Sequence, residues 1–249
     1  MLKCYNSLVT DISIIVPVFN EEKRVEKAMR SLLKYRSSLA ERGYVCQIVC
    51  VDDGSTDSSK SILKSMVENL TFITHKNNLG KGAAIKSALK KCSGRAIIIY
   101  DADAEYSTLD ILKIVRPILA NKADVVYGSR NTGIVNYNNQ KSRYHYYIGG
   151  LILNGIVNLL FNIQTTDQTT CYKGFHRRFV NHLVQPIENR FSYEIAMTAI
   201  FSRYSDTILE IPIRYSPRKS SEGKKIKFRD FIQSVVTALY YRMHGYRRI

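Results

Sequence analysis

The chain has 249 residues, of which 37 are Lys or Arg and 21 are Asp or Glu, giving a formal net charge of +16; 45% are hydrophobic and 23% charged. Those fractions exclude disordered, collagen-like and disulfide-scaffold classes, and the length suits one α/β domain with a tail. The positive excess requires a cause, and an anionic partner is the one it suggests.

Ile12–Val18 (ISIIVPV) is a β-branched apolar run, and Val25, Ala28, Met29, Leu32, Leu33 and Tyr35 follow at a 3.6-residue period across 21–42. The chain therefore opens strand then helix. The alternation recurs as 45–51 before 56–70, 71–74 before 80–91 and 96–100 before 108–119, with a fifth strand at 124–127. Strands apolar on both faces and separated by helices predict a mostly parallel central sheet flanked by helices. A polar loop, 131–139 (NTGIVNYNN), precedes an apolar helix over about 144–162. Helices near 177–183 and 192–204 and a strand at 208–215 complete the body. A basic segment, 216–230 (SPRKSSEGKKIKFRD), leads into a last helix over about 229–243.

The five cysteines, Cys4, Cys46, Cys50, Cys92 and Cys171, are odd in number and form no Cys-x-x-Cys pair. Neither a zinc ribbon nor a disulfide framework is indicated, and a reducing compartment is expected. The first residues lack the apolar run of a signal peptide. The longest apolar stretch, 146–163, is interrupted by Gly149, Gly150, Asn154, Gly155, Asn158 and Asn162, so no transmembrane segment is expected.

In doubly wound sheets ligands bind at the carboxyl ends of the strands. Here those ends read Pro17-Val18-Phe19-Asn20-Glu21, Asp52-Asp53-Gly54-Ser55 and Asp101-Ala102-Asp103-Ala104-Glu105. One acidic strand end is equally well a helix cap; three on one rim call for a cation. Asp101, Asp103 and Glu105 alternate, so on an extended segment their carboxylates would point one way. Oxygen ligands without His or Cys favour Mg²⁺ or Mn²⁺, which commonly binds one or two carboxylates plus substrate phosphates, making a nucleoside diphosphate the natural co-ligand. A solvated acidic loop is the plainer alternative. The turn Asn77-Asn78-Leu79-Gly80-Lys81-Gly82-Ala83-Ala84 opens a helix, where backbone N–H groups attract phosphate; close helix–sheet packing explains its glycines as well. It is not a Walker A sequence, and no Gly-x-Gly-x-x-Gly follows the first strand.

Taken in order, Pro17-x-Phe19-Asn20-Glu21, Asp52-Asp53-Gly54-Ser55, Asn78-Leu79-Gly80-Lys81-Gly82, Asp101-Ala102-Asp103, Gly128-Ser129-Arg130 and Glu222-Gly223-Lys224 resemble family 2 glycosyltransferases, and within them the dolichyl-phosphate mannosyltransferase and glucosyltransferase group. The resemblance runs from about residue 11 to 228. It implies a GT-A fold in which Pro17, Phe19, Glu21, Val51 and Asp53 hold the base and ribose of a UDP- or GDP-linked sugar. Asp101 and Ala102 would then sit at the ribose and diphosphate, with Lys81 in the donor-binding set and Asp103 and Glu105 on the metal. Position 105 is often Gln in the mannosyltransferases, so Glu105 keeps the ligand and adds charge. Arg130, Arg218 and Lys224 would bind the diphosphate or an acceptor phosphate, and Arg143 falls at an acceptor-side Arg. A donor half would span about 11–130 and an acceptor-side half about 131–217, followed by a basic C-terminal segment, 218–249.

A lipid-phosphate acceptor is already anionic and needs only cations to hold it near the donor. A hydroxyl acceptor, as in polysaccharide or glycoconjugate synthesis, needs a carboxylate base, for which Asp167 (TTDQTTCYKGF) and Glu194 (RFSYEIAM) are candidates. Asp167 matches an Asp of the family's acceptor region; Glu194 is expected to pair with Arg190 or Arg203. Asp103, Arg130 and Asp167 are thus the expected catalytic set.

Phe231, Ile232, Val235, Val236, Leu239 and Met243 form an apolar stripe on the last helix, and residues 211–249 hold ten basic against two acidic side chains, half the net charge. Such a helix suits a membrane interface or packing on the body. Peripheral association with the cytoplasmic face of a membrane is expected. Nucleic acid is the other anion such a charge can serve, but no nucleic-acid module is present and the strand ends are acidic.

Overall fold

The computed structural model describes residues 10–132, 144–205, 208–216 and 228–245. In chain order they form β1 (Ile12–Val18), α1 (Val25–Glu41), β2 (Cys46–Asp52), α2 (Ser59–Lys64), β3 (Thr71–Thr74), α3 (Lys81–Leu89), β4 (Ala96–Ile99), α4 (Ile111–Leu119), β5 (Val125–Ser129), α5 (Tyr144–Phe161), β6 (Lys173–His176), α6 (Val180–Leu183), α7 (Tyr193–Tyr204), β7 (Ile208–Pro212) and α8 (Phe228–His244). The seven strands make one sheet in the order β3-β2-β1-β4-β6-β5-β7. All pairings are parallel except those of β6, which runs antiparallel to both β4 and β5. The sheet is buried on both faces: β1, β4 and β5 expose almost nothing, which is why their sequences are apolar without alternation.

β6 is the strand that periodicity misses. Its four residues, Lys-Gly-Phe-His, carry a charge and a glycine where a core strand is expected to be apolar. Both have structural causes. A Cβ at Gly174 would lie 2.5 Å from Ile114 Cγ2 of α4, and the Lys173 side chain is wholly buried against a carboxylate. The helix expected over 56–70 is shorter than its pattern, because the Ser61 and Ser65 hydroxyls bond back to the carbonyls of Ser58 and Ile62, the competition that weakens serine-rich helices. A turn of 3₁₀ helix, Val67–Asn69, follows. The last strand stops at Pro212 instead of Tyr215, and the chain touches the sheet rim again through an isolated bridge, Tyr106 to Tyr215.

α8 divides its apolar stripe. Phe231, Val235 and Ala238 pack with Leu153, Val157 and Ile195 of α5 and α7, whereas Ile232, Val236, Leu239 and Met243 are exposed. Leu151, Ile152 and Leu159 of α5 are exposed too. Packing on the body therefore accounts for one side of the helix, and the other side is exposed. Among the described residues no helix is long and apolar enough to cross a membrane.

Candidate active site

The carboxyl ends of β1, β2, β4 and β5 share one rim. The loops after β1 and β2 are laced together: Ser55 Oγ accepts from the Asn20 N–H, Asn20 Oδ1 accepts from the Thr56 N–H, and Ser59 Oγ accepts from the Glu21 N–H at 2.8 Å. Pro17 and Phe19 are half-buried along this edge, and Glu21, Val51 and Ala102 are buried.

Asp53 is 3% exposed and organises the next loop. Its carboxylate accepts from the Leu79 and Gly80 N–H groups at 3.0 and 2.7 Å, from Asn78 Nδ2, and meets His75 Nδ1 at 2.6 Å; His75 Nε2 in turn meets Ser87 Oγ. In this geometry Asp53 ties the loop after β3 to the end of β2. The Leu79 and Gly80 amides are thereby used, and the Ala83 N–H goes to the Asn189 carbonyl, so close packing accounts for the glycines of this loop. A Cβ on Gly82 would lie 2.5 Å from Tyr193 Cβ, and one on Gly80 would collide with the Asn189 carbonyl oxygen. Gly80 also has φ of 104°, a conformation that costs an L-residue about 1–3 kcal/mol. Gly80→Ala should therefore lose at least about 2 kcal/mol in urea denaturation; a loss below half of that would show the loop yields.

The Asp101–Glu105 segment corrects an expectation. It is a turn, not an extended run: Ala104 sits at φ 59° and Asp103 Oδ1 accepts from the Glu105 N–H at 3.1 Å. The three carboxylates consequently diverge. Asp101 pairs with Lys81 Nζ at 3.0 Å, and Glu105 Oε2 accepts from the Tyr215 hydroxyl at 2.7 Å. Among the described residues no group of three or more His, Cys, Asp or Glu side chains is gathered closely enough to hold a metal. A hard divalent cation needs only one or two protein carboxylates when a diphosphate supplies further oxygens. Asp103 and Glu105, half-exposed on one turn, fit that donor chemistry.

Lys81 begins an alternating array that runs inward. Its ammonium lies 3.0 Å from Glu194 Oε1, and Glu194 Oε2 lies 2.6 Å from Lys173 Nζ, which also donates to the Thr170 carbonyl and stands 5.1 Å from the centre of the Tyr127 ring. Burial opposes the charge on Lys81, but Asp101 and Glu194 override it and hold its pKa well above the ordinary value. Burial likewise opposes ionisation of Glu194; Lys173 and Lys81 outweigh it and pull its pKa down. Arg190 and Arg203, the expected partners of Glu194, are exposed. Helical geometry explains the exchange, since Glu194 shares a face of α7 with buried Met197, Thr198 and Phe201, which look into the body.

At the end of β5, Arg130 Nε and Nη2 each donate to Asp167 at 2.7 Å, and the Arg130 backbone N–H donates to the same carboxylate at 2.9 Å. Arg130 Nη2 also reaches Thr169 Oγ1, and its guanidinium lies 5.0 Å from the centre of the Tyr215 ring. Asp167 is 3% exposed. Both of its oxygens face Arg130, which gives it the geometry of an anchor for that cation. Arg143, Arg218 and Lys224 lie outside the described residues. Lys173, Tyr215 and His75 are site residues that sequence reasoning missed, although Lys173 lies inside the segment TTDQTTCYKGF and His75 two residues before the Asn77 turn; each pairs with an acidic residue remote in the chain.

A groove of about 430 Å³ borders the Gly80 loop, between the Asn189–Ser192 turn and α8, lined by Arg190, Ile232, Val236 and Thr237 among others. Exposed Arg229 and Arg242 stand on α8 with the apolar side chains that face solvent.

The glycosyl transferase family 2 profile matches residues 13–184. A dolichyl-phosphate beta-glucosyltransferase of Trichomonas vaginalis is 27% identical over 94% of this chain and 74% of its own length. A UDP-N-acetylglucosamine–dolichyl-phosphate N-acetylglucosaminyltransferase of Methanococcus voltae is 26% identical over 86% of this chain and 90% of its own. Among solved structures, a mannosyltransferase of Pyrobaculum calidifontis in complex with GDP-Man and Mn²⁺ superposes with a TM-score of 0.55 at 18% identity, over 96% of this chain and 73% of that one.

Proposed function

The chain belongs to glycosyl transferase family 2, and from that premise we propose that it is an inverting, Mg²⁺- or Mn²⁺-dependent enzyme moving a hexose from a UDP- or GDP-linked sugar to a polyprenyl phosphate at the cytoplasmic face of a membrane. The observation that carries the reading is Arg130, a cation fixed on the strand-end rim by a buried carboxylate and linked through the Tyr215 ring to Glu105 of the acidic turn. The two relatives that act on dolichyl phosphate use different sugars, so the shared part of the chemistry is the phosphate acceptor.

In this reading Pro17, Phe19, Glu21 and Val51 line the nucleoside site on a frame held by Asp53, while Asp101 and Ala102 lie at the ribose and diphosphate. Asp103 and Glu105 would hold the cation, whose chemistry is to neutralise charge on the departing nucleoside diphosphate. Lys81, fixed between Asp101 and Glu194, adds a positive charge to the same edge. Arg130, with Arg143, Arg218 and Lys224, holds the acceptor phosphate. A phosphate oxygen then attacks the anomeric carbon from the face opposite the leaving group, forming one C–O bond as the bond to the diphosphate breaks. The acceptor arrives ionised, so catalysis is positioning and charge stabilisation, with no proton to remove.

The exposed apolar residues of α5 and α8, with Arg229 and Arg242 nearby, suit the plane of a membrane interface. Each basic side chain near an anionic leaflet contributes about 1 kcal/mol. Incubation with labelled UDP- and GDP-sugars, Mn²⁺ or Mg²⁺ and polyprenyl phosphate tests the assignment. One donor class should give organic-extractable product that disappears with a chelator. No such product from any donor would overturn it.

A further inference from the structure

We propose that Tyr215 is a positioning residue that sets the donor turn and the acceptor cation relative to one another; this rests on the roles just given to Glu105 and Arg130. The residue lies outside every motif of the sequence, and it reaches the site through the way β7 ends. β7 pairs in parallel with β5 up to Ser129 opposite Pro212, and the ladder closes with the Ile213 N–H donating to the Ser129 carbonyl. The Arg214 N–H is then taken by Asp110 at 2.8 Å, so the chain turns toward the loop before α4 and away from the sheet edge. Tyr215 makes the antiparallel bridge to Tyr106, and the Ser216 N–H donates to the Glu105 carbonyl at 2.9 Å.

The result is one aromatic side chain with two separable contacts. Its hydroxyl donates to Glu105 Oε2 at 2.7 Å, which restrains that carboxylate. Its ring carries the Arg130 guanidinium at 5.0 Å, and Asp167 fixes the other side of the same fork. The ring itself is set by Tyr106, 5.2 Å away, which packs at a tilt against Tyr172 and whose hydroxyl accepts from the Cys171 N–H. Mg²⁺ and Mn²⁺ demand well-oriented oxygen ligands, and groups that orient such ligands typically change metal affinity about 10–100-fold. A guanidinium over an aromatic face is held by cation–π attraction. Donor and acceptor anions must approach closely in a fixed geometry, and a single ring bridging their two holders secures it.

Because hydroxyl and ring serve different partners, two variants separate them. Tyr215→Phe removes the donor to Glu105 and keeps the ring. Calorimetric titration of Mn²⁺ into protein with UDP or GDP should show affinity weakened about 10-fold, with the KM for polyprenyl phosphate within about twofold of wild type. Tyr215→Leu removes both contacts and should add a rise of about 10-fold in acceptor KM. Rescue of acceptor KM by Phe and not by Leu is a pattern that general loosening would not produce. Wild-type Mn²⁺ affinity in the Phe variant, or equal losses in metal affinity, acceptor KM and melting temperature in both variants, would overturn the proposal. Wild-type protein that binds nucleotide without any dependence on Mn²⁺ would sink the metal reading along with it. Failure to transfer to polyprenyl phosphate while the Mn²⁺ titrations still separate Phe from wild type would refute the lipid acceptor alone.

Discussion

Glu194→Ala is expected to destabilise the fold by about 3–5 kcal/mol, the range seen when one partner of a buried ion pair is deleted. Lys173 has no exposed surface and finds its countercharge only 2.6 Å away on Glu194. Without it, an ammonium would be left in the core beside a carbonyl and the Tyr127 ring. Lys81 would lose one of its two carboxylates as well, so donor affinity should fall together with stability. The double variant Glu194→Gln, Lys173→Met should recover most of the loss, because removing both charges leaves no stranded ion in the core. Urea midpoints of the single and double variants decide the matter, and a single variant within about 1 kcal/mol of wild type would mean that Lys173 finds another partner. The pH dependence carries a sign. The folded carboxyl titrates below its ordinary 4.5, so its contribution is complete above that value and fades as pH falls through the lower folded pKa. Glu194→Gln should lack this part of the acid slope.

The strand ends were legible because burial on both faces leaves an apolar run with an abrupt polar stop. Phe19, Asp53 and Asp103 are read from that boundary, whereas Arg130 is placed by the resemblance of Gly128-Ser129-Arg130. What stayed hidden is long-range pairing. Lys173 looks like a surface residue until Glu194, 21 positions later, is placed against it, and the same charge disguises β6 as loop. Tyr215 and Glu105 are 110 residues apart, and no local periodicity links them. The Asp101–Glu105 turn was misjudged for a related reason: alternation of acids implies one face only if the backbone stays extended, and Ala104 in the left-handed region breaks that condition. The apolar stripe of α8 announced burial and exposure at once, since a stripe wider than its partner leaves a residue row for solvent or lipid.

Asp167→Asn should raise the KM for polyprenyl phosphate about 10–100-fold while kcat falls much less, the pattern expected when a residue that orients a binding group is lost. The carboxylate receives three N–H groups of Arg130. An amide of the same shape can still accept on one oxygen, but its NH₂ would face a guanidinium donor, and the charge that offsets Arg130 would be gone. The bidentate fork would open, leaving the cation mobile against the Tyr215 ring. Donor and Mn²⁺ binding, which the proposed function assigns to the Asp103 turn, should be unchanged. The competing role for this residue, base to a hydroxyl acceptor, makes the opposite prediction: kcat reduced about 10²–10⁴-fold at an unaltered acceptor KM, with loss of the acidic limb of the pH–rate profile. Initial rates across acceptor concentration, paired with calorimetric donor binding, separate the two. A collapse of kcat with acceptor KM intact would transfer Asp167 from holding the cation to removing a proton, and the acceptor from a phosphate to a hydroxyl.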